Sequence, residues 1–409
     1  MFRFLFLMFV YAGTPAAALA QDPESLEERV RELERKLAQQ PATNPATALN
    51  PTVTVIGNMM WRLDDKKVFL EGDPAEPRID DTFNLREVEL DLRSAIDPFA
   101  DGMLVLAVES ESPGDFAIAV EEFVVTVKSL PFGFWETPPL ATKIRLGRMR
   151  VDFGRINKLH LHDLPQSQYG LTIGDFLGEE GYVATGIATS SILGGFGESD
   201  TLQLNLGAFQ GGGSAVASDA RVPALLASLS WFNDLGAGHT VDLGLYGHYG
   251  GTEKLGHQRH AATFSLDALY KWKPAKQGEW NSFVVGFQVF RSDRTFIVPE
   301  DTDADGIPDL FNSGEAQPAG LLVWAQYQLD RRWYMGVRYD RSDFIDNDDL
   351  DHSRITPYVS CYLSEFFRVR ASVERTSSDI DAEDDLTTFL FEVNVLFGAH
   401  PPHPFWVNR

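Results

Sequence analysis

The acidic run at 301–312 carries the sharpest ligand spacing in this 409-residue chain. Asp301, Asp303, Asp305 and Asp309 put side-chain oxygens at loop positions 1, 3, 5 and 9, and Gly306 stands where a sharp turn is needed. The carbonyl of Ile307 supplies position 7, and Asn312 falls at position 12, where an EF-hand has a bidentate Glu. Hard oxygen ligands of this kind suit Ca2+, held more weakly than in an EF-hand, whereas zinc prefers His or Cys. The alternative is an acidic, solvated loop tip. A second candidate is the pair His160 and His162, whose spacing turns both rings to one face of an extended strand. With Asp163 and Glu179 or Glu180 that pair could hold a metal, and His400 with His403 is a weaker version. A third set is basic: Lys143, Arg145, Arg148, Arg150, Arg155 and Lys158 lie just before and inside 154–180, with Asp152, Asp163, Glu179 and Glu180 nearby. Facing rows of opposite charge set a transverse field at a narrow point. As solvated or ion-paired groups, the same residues would each contribute little.

The scaffold for these residues has period two. In 387–397, Phe389, Phe391, Val393, Val395 and Phe397 share one face, while Thr388, Glu392 and Asn394 share the other. Similarly, Val88, Leu90 and Leu92 oppose Glu89, Asp91 and Arg93. Such segments are expected at 52–63, 82–96, 102–110, 115–128, 141–153, 181–193, 200–210, 222–232, 239–250, 261–273, 280–292, 320–329, 332–342, 354–363, 366–377 and 387–398. Most are longer than the strands of a soluble sandwich, about 5–6 residues, and match a tilted transmembrane strand, about 9–11. Trp61, Trp231, Tyr249, Trp272, Trp280, Trp333 and Tyr339 stand near segment ends, as aromatics do at a membrane boundary. The predicted fold is therefore all-β, an antiparallel up-and-down transmembrane β-barrel of sixteen strands, closed so that no backbone group is left unpaired in lipid. Connections near 97–101, 233–237, 329–332 and 363–366 are tight, and those at 64–81, 154–180, 293–319, 343–353 and 378–386 are longer. The short 111–114 and the long 129–140 break this alternation and keep fourteen strands open.

Residues 1–20 read as a secretory signal: Arg3, an apolar stretch from Phe4 to Tyr11, and a small-residue site at Ala18-Leu19-Ala20. In 21–40, Leu26, Val30, Leu33 and Leu37 form a heptad seam, with Glu27–Arg31 and Glu32–Lys36 pairs. This is a short coiled-coil helix in the periplasm or, alternatively, a surface-lying amphipathic helix. Pro41 and Pro45 make 41–50 a stiff linker before the barrel at 51–398, and 399–409 is a C-terminal tail. The formal charge of −24 argues against a nucleic-acid partner. Sixteen of the acids lie in 300–315, 343–351 and 379–385, which contain no Lys or Arg, leaving −8 for the rest. Net charge therefore says little about the lumen. The lone Cys361 excludes an intramolecular disulfide and Cys-rich metal sites.

A sixteen-stranded barrel is too wide for its own side chains to fill, so passive diffusion of small solutes is the default function, with 154–180 as the candidate inward loop. The segments 145–157 (RLGRMRVDFGRIN), 160–162 (HLH), 177–181 (LGEEG), 327–333 (YQLDRRW), 336–339 (GVRY) and 397–405 (FGAHPPHPF) resemble outer-membrane porins of the phosphate-selective porin O and P type. The resemblance implies a homotrimeric channel in the bacterial outer membrane with an inward third loop. It also implies an arginine ladder that conducts anions, for which Arg338, Arg368 and Arg370 have inward parity. The sequence lacks a dense Arg and Lys run within one loop, and Trp406 to Arg409 depart from the usual terminal aromatic. Two other classes remain: a barrel enzyme, for which Ser265 and His248 share inward parity on adjacent strands, and a non-conducting envelope tether. The residues favour a non-enzymatic channel, with no organic cofactor and outer-membrane lipid as its surroundings.

Overall fold

A strand whose residues alternate between apolar and polar must show one face to oil and the other to water or a polar interior. The computed structural model describes residues 51–66, 83–112, 115–210, 222–252, 259–274, 281–300, 310–380, 385–399 and 404–407. The expected signal, coiled coil and linker, the acids 301–309, and His400 with His403 lie outside the described residues. The strands are β1 (Thr52–Asp64), β2 (Phe83–Asp97), β3 (Ala100–Ser112), β4 (Asp115–Val127), β5 (Lys143–Arg150), β6 (Val183–Gly194), β7 (Asp200–Phe209), β8 (Ala224–Gly236) and β9 (His239–Gly251). They continue with β10 (His260–Trp272), β11 (Ser282–Glu300), β12 (Leu310–Ala316), β13 (Ala319–Gln328), β14 (Trp333–Phe344), β15 (Asn347–Ser364), β16 (Phe367–Ser378) and β17 (Leu386–Gly398). One short helix, α1 (Leu171–Leu177), lies in the connection between β5 and β6.

Sequence neighbours pair antiparallel, and β1 closes the sheet on β17 from Thr54 opposite Gly398 to Asp64 opposite Thr388. β12 and β13 pair with successive halves of β11, at 294–300 and 282–291. They are one barrel strand interrupted at Gln317 and Pro318, where proline has no N–H to give to the ladder. The barrel therefore has sixteen strands, which removes the fourteen-strand alternative. Among the described residues no helix is long and apolar enough to cross a membrane; the crossing elements are strands.

The outward face is largely apolar. Ile118 is 77% exposed and Phe264 63%, and Phe123, Leu206, Leu225, Leu245 and Phe389 are also exposed. Apolar exposure on this scale in a water-soluble monomer would mark an interaction surface; around a closed barrel it is a lipid-facing band. Trp61 on β1 stands opposite Phe83 on β2 and Phe391 on β17, an aromatic row near one rim. The opposite rim holds the tight turns at 98–99, 237–238 and 329–332. There Asp330 accepts hydrogen bonds from the backbone N–H of Arg332 (2.7 Å) and Trp333 (2.9 Å), which hold its carboxyl below the usual range.

Two of the expected long loops are shorter in the structure. β11 and β12 extend the hairpin from 293 to 300 and from 310 to 316, and β14 with β15 turns tightly at 345–346. The acids at 347–351 therefore sit on a paired strand. Backbone pairing tolerates charge on a ladder that projects into water, which period-two reading takes for a loop.

Gly147 on β5 has φ +125°, and a Cβ there would stand 1.9 Å from the carbonyl oxygen of Phe123 on β4. Gly147→Ala should cost about 1–3 kcal/mol of barrel stability through backbone strain and that clash. A Cβ on Gly247 would meet only Phe264 at 3.6 Å, so Gly247→Ala should be nearly neutral. Urea midpoints of the folded, heat-modifiable form on gels check both.

Candidate functional site

The segment 151–182 between β5 and β6 is held at its neck by one side chain. Asn157 donates to the carbonyls of Val151 (2.7 Å) and Tyr182 (3.1 Å) and accepts from the Tyr182 N–H (2.6 Å). Beyond the neck the segment packs into the barrel. Phe153, Ile173 and Phe176 bury themselves against inward-facing Tyr246, Phe290, Leu322 and Trp324. Gly320 on β13 permits this approach, since a Cβ there would lie 2.5 Å from Thr172 of α1.

Buried arginines on the wall fasten the segment's backbone. Arg338 is 1% exposed; it pairs with Asp340 (2.6 Å) and donates to the Gln168 carbonyl (2.7 Å). Arg368 and Arg370 share Glu392, at 3.1 and 2.8 Å, and donate to the carbonyls of His162 and Leu164, each at 2.7 Å. Arg86 on β2 donates to the Ser167 carbonyl (2.7 Å). Arg155 reaches the other way, to Asp242 on β9 and to Asp267 on β10 (3.0 Å). The three arginines read as a ladder thus have inward parity, and each is neutralised by an acid and bound to the segment.

From the rim of tight turns the tail also enters. Trp406 is fully buried, donates its indole N–H to the Asp163 carbonyl (2.7 Å) and lies edge-on to Tyr334. The Phe405 carbonyl accepts from Lys271 (2.7 Å).

The side of β2 to β7 is left more open. A cavity of about 470 Å³ is lined there by Lys143, Arg145, Arg150 and Lys158, with Glu122, Asp152 and Asp163 of opposite charge. An adjoining space of about 500 Å³ shares Arg93, Met103, Thr126 and Arg145 with it. Lys158 pairs with Asp152, Arg93 with Asp91, and Arg150 with Glu121. Among the described residues Lys143 and Arg145 have no ion-pair partner. Arg148 stands apart from this set: it is opposite Phe123 on the outer face and donates to the Val120 carbonyl (2.8 Å).

Two β-bulges on β2 and β4 place consecutive polar residues inside. The register slips so that Arg86 and Glu87 both point inward, as do Glu121 and Glu122. The result is an acidic cluster around two histidines. His162 Nδ1 lies 2.8 Å from Glu89, while His160 meets Glu121 at Nδ1 and Glu122 at Nε2, both 2.9 Å. Glu89, Glu121 and His160 bring ligand atoms within 4.8 Å of one another, and Glu87, Glu109 and Glu121 do the same. This is a potential metal-binding cluster, and its carboxylates come from β2, β3 and β4 rather than from Asp163, Glu179 or Glu180. Sequence parity missed it because each bulge shifts the alternation by one residue. Of the expected calcium ligands only Asn312 is described; it lies on β12 opposite Val298. Ser265 accepts from Gln288 (3.0 Å) and His248 pairs with the Tyr182 hydroxyl (3.1 Å), so the two do not form a nucleophile and base.

No known protein family matches the sequence. An uncharacterized protein of Aquifex aeolicus is 23% identical over 354 residues, covering 79% of this chain and 70% of that protein. Among solved structures, the anion-selective porin from Comamonas acidovorans aligns with a TM-score of 0.52 at 14% identity, over 85% of this chain and 99% of that one. OmpF of Salmonella typhi, solved with daunomycin, gives 0.53 at 12% identity over 85% and 98%. OprB of Pseudomonas putida gives 0.51 at 11% identity over 91% and 97%. At these identities the likeness is one of fold. The chain has the sixteen-stranded outer-membrane porin fold, in agreement with the outer-membrane location expected from the sequence.

Removing the acid shared by Arg368 and Arg370 should loosen the inner segment. Glu392→Gln leaves two buried guanidinium groups without their counter-charge, which typically costs about 3–5 kcal/mol. Arg368 lies 5.7 Å from the centre of the Trp406 ring, so urea unfolding followed by tryptophan fluorescence reads both the loss of stability and any release of the tail.

Proposed function

We propose that this protein is an outer-membrane porin through which small solutes diffuse passively, with a preference for anions. The observation that carries the reading is the lumen-side cavity lined by Lys143 and Arg145, two cations without ion-pair partners on an otherwise neutralised wall. In a water-filled passage with low-dielectric walls, fixed unpaired charge raises the local concentration of the opposite ion. The segment 154–180 narrows the barrel from the β9 to β17 side and leaves the passage off-centre. Asp152, paired with Lys158, and Asp163 line the same cavity and supply the opposite sign of a transverse field. Arg338, Arg368 and Arg370 serve chiefly to hold the segment, because each already has an acid and a backbone carbonyl as partners.

The finer resemblance, to porins of the phosphate-selective O and P type, rests on the quoted sequence segments and supports an anionic solute without specifying which. A homotrimer follows from the same resemblance, and the heptad seam at 21–40 would associate its copies in the periplasm. The oxygen spacing of residues 301–312 supports a Ca2+ site, with Asn312 at its strand end on β12. That assignment rests on oxygen spacing alone.

Single-channel recording in planar bilayers tests the reading. Purified protein should give discrete conductance steps, and a salt gradient should give a reversal potential of anion-selective sign. Lys143→Glu with Arg145→Glu should move that potential toward the cation-selective sign; a barrel that inserts yet never conducts overturns the proposal. For the Ca2+ site, Asp301→Ala with Asp305→Ala should lower calcium affinity at least tenfold by titration calorimetry, and unchanged binding removes that site.

A further inference from the structure

The acidic cluster inside the barrel is built against its own electrostatics. Glu87 on β2 stands directly opposite Glu109 on β3, a like-charge cross-strand pair that destabilises a sheet when nothing lies between the two. Glu121 and Glu122 are both turned toward the same region by the β4 bulge. Ala107 and Ala119, paired on β3 and β4, add only methyl groups next to them. Five carboxylates therefore gather there: Glu87, Glu89, Glu109, Glu121 and Glu122. Arg150 reaches in, 3.2 Å from Glu121, and His160 and His162 stand against Glu121, Glu122 and Glu89. Glu87 is only 5% exposed, and its Oε2 atom has no hydrogen-bond partner. A buried carboxylate oxygen left this way is costly unless a cation or a proton occupies the space it faces.

We propose that this cluster binds a first-row divalent transition ion, with Glu121 at its centre. His160 is arranged as a ligand. Its Nε2 is 2.9 Å from Glu122, which would take that N–H and free Nδ1 for an ion; Nδ1 lies 2.9 Å from Glu121 and 3.5 Å from both Glu89 and the Arg150 guanidinium. A carboxylate that orients a ligating imidazole in this way is the usual outer partner of a metal-bound histidine. Glu89 and Glu121 complete one triad with His160, and Glu87 with Glu109 extends it through the shared Glu121. Ligands bound at about 2.1 Å lie about 3–4 Å apart, so a small contraction of these groups suffices. An imidazole among carboxylates selects zinc, manganese or cobalt over calcium and magnesium. The site draws on none of residues 301–312, and it stands whether or not the barrel conducts.

The test uses the full chain in detergent, stripped with chelator, titrated with Zn2+ by calorimetry and with Co2+ by visible absorption. The expected result is Zn2+ bound at least tenfold more tightly than Ca2+, with a Co2+ spectrum showing nitrogen ligation. Glu121→Gln and His160→Gln should each weaken Zn2+ binding at least tenfold, and Glu87→Gln should weaken it severalfold. Heat-modifiable migration on gels shows that each variant is folded. If Glu121→Gln does not fold, Glu87→Gln and His160→Gln carry the test. Zn2+ affinity unchanged in folded variants, or lost instead in Asp301→Ala with Asp305→Ala, overturns the proposal. So does a Glu87→Gln variant that gains stability while wild-type protein binds no Zn2+, since the cluster is then held by a shared proton.

Discussion

A backbone N–H or C=O placed in hydrocarbon has no water to turn to, and each one left unpaired costs several kcal/mol. That constraint forces β1 onto β17, because an open sheet would leave two edges in lipid. Closure in turn fixes the two faces of every strand. The outer face must be mostly apolar between the rims, and most charged groups go inward, where residues such as Arg338, Asp340, Glu374 and Glu392 are buried. Where the inner segment covers the wall, the charges beneath it then have to find one another.

The filling is unequal, and this inequality organises the interior. Inward positions of β9 to β14 carry Tyr246, Leu269, Phe290, Leu322, Trp324 and Tyr334, so that side presents an apolar surface to the segment 151–182. The strands β14 to β17 present arginines paired with Asp340 and Glu392, which satisfy loop carbonyls that would otherwise be buried without donors. Trp406 and Phe405 add to the same apolar body from the opposite rim. What remains lies beside β2 to β7, where the inward residues are Arg93, Lys143, Arg145, Gln203 and Asn205. Packing on one side thus determines where space is left on the other.

The strands were legible because period two survives any change of side chain that keeps an apolar outer face. The expected segment at 52–63 and β1 at Thr52–Asp64 differ by one residue. The interior was less legible, for a related reason. Where an inward position is also apolar, the alternation fades into a run, as in 283–290 and 321–325, and the run does not say what covers it. The lumenal parity of Arg338, Arg368 and Arg370 was readable, but their acids are not sequence neighbours apart from Asp340. Glu392 lies on β17 and reaches Arg370 on β16 only through the register. The basic set around 154–180 separated on folding: Lys143 and Arg145 face the cavity, Arg155 ties to Asp242 and Asp267, and Arg148 is outside.

The bulges show how a small irregularity changes chemistry. In a regular strand Arg86 and Glu87 must face opposite ways, and so must Glu121 and Glu122; one of each pair would then be in lipid. An extra residue in the ladder brings both inside, at the cost of locally broken pairing and added twist. Both bulges lie on strands that flank β3, so their effects converge on a small volume instead of being spread around the barrel. Carboxylates that polar parity alone would distribute singly are thereby concentrated, next to two histidines delivered by the inner segment. A sheet that needed only to hide these residues from lipid could have used uncharged polar side chains at Glu87 and Glu121. The charge retained there, opposite Glu109 and beside His160, sets this part of the wall apart from the neutralised arginine side.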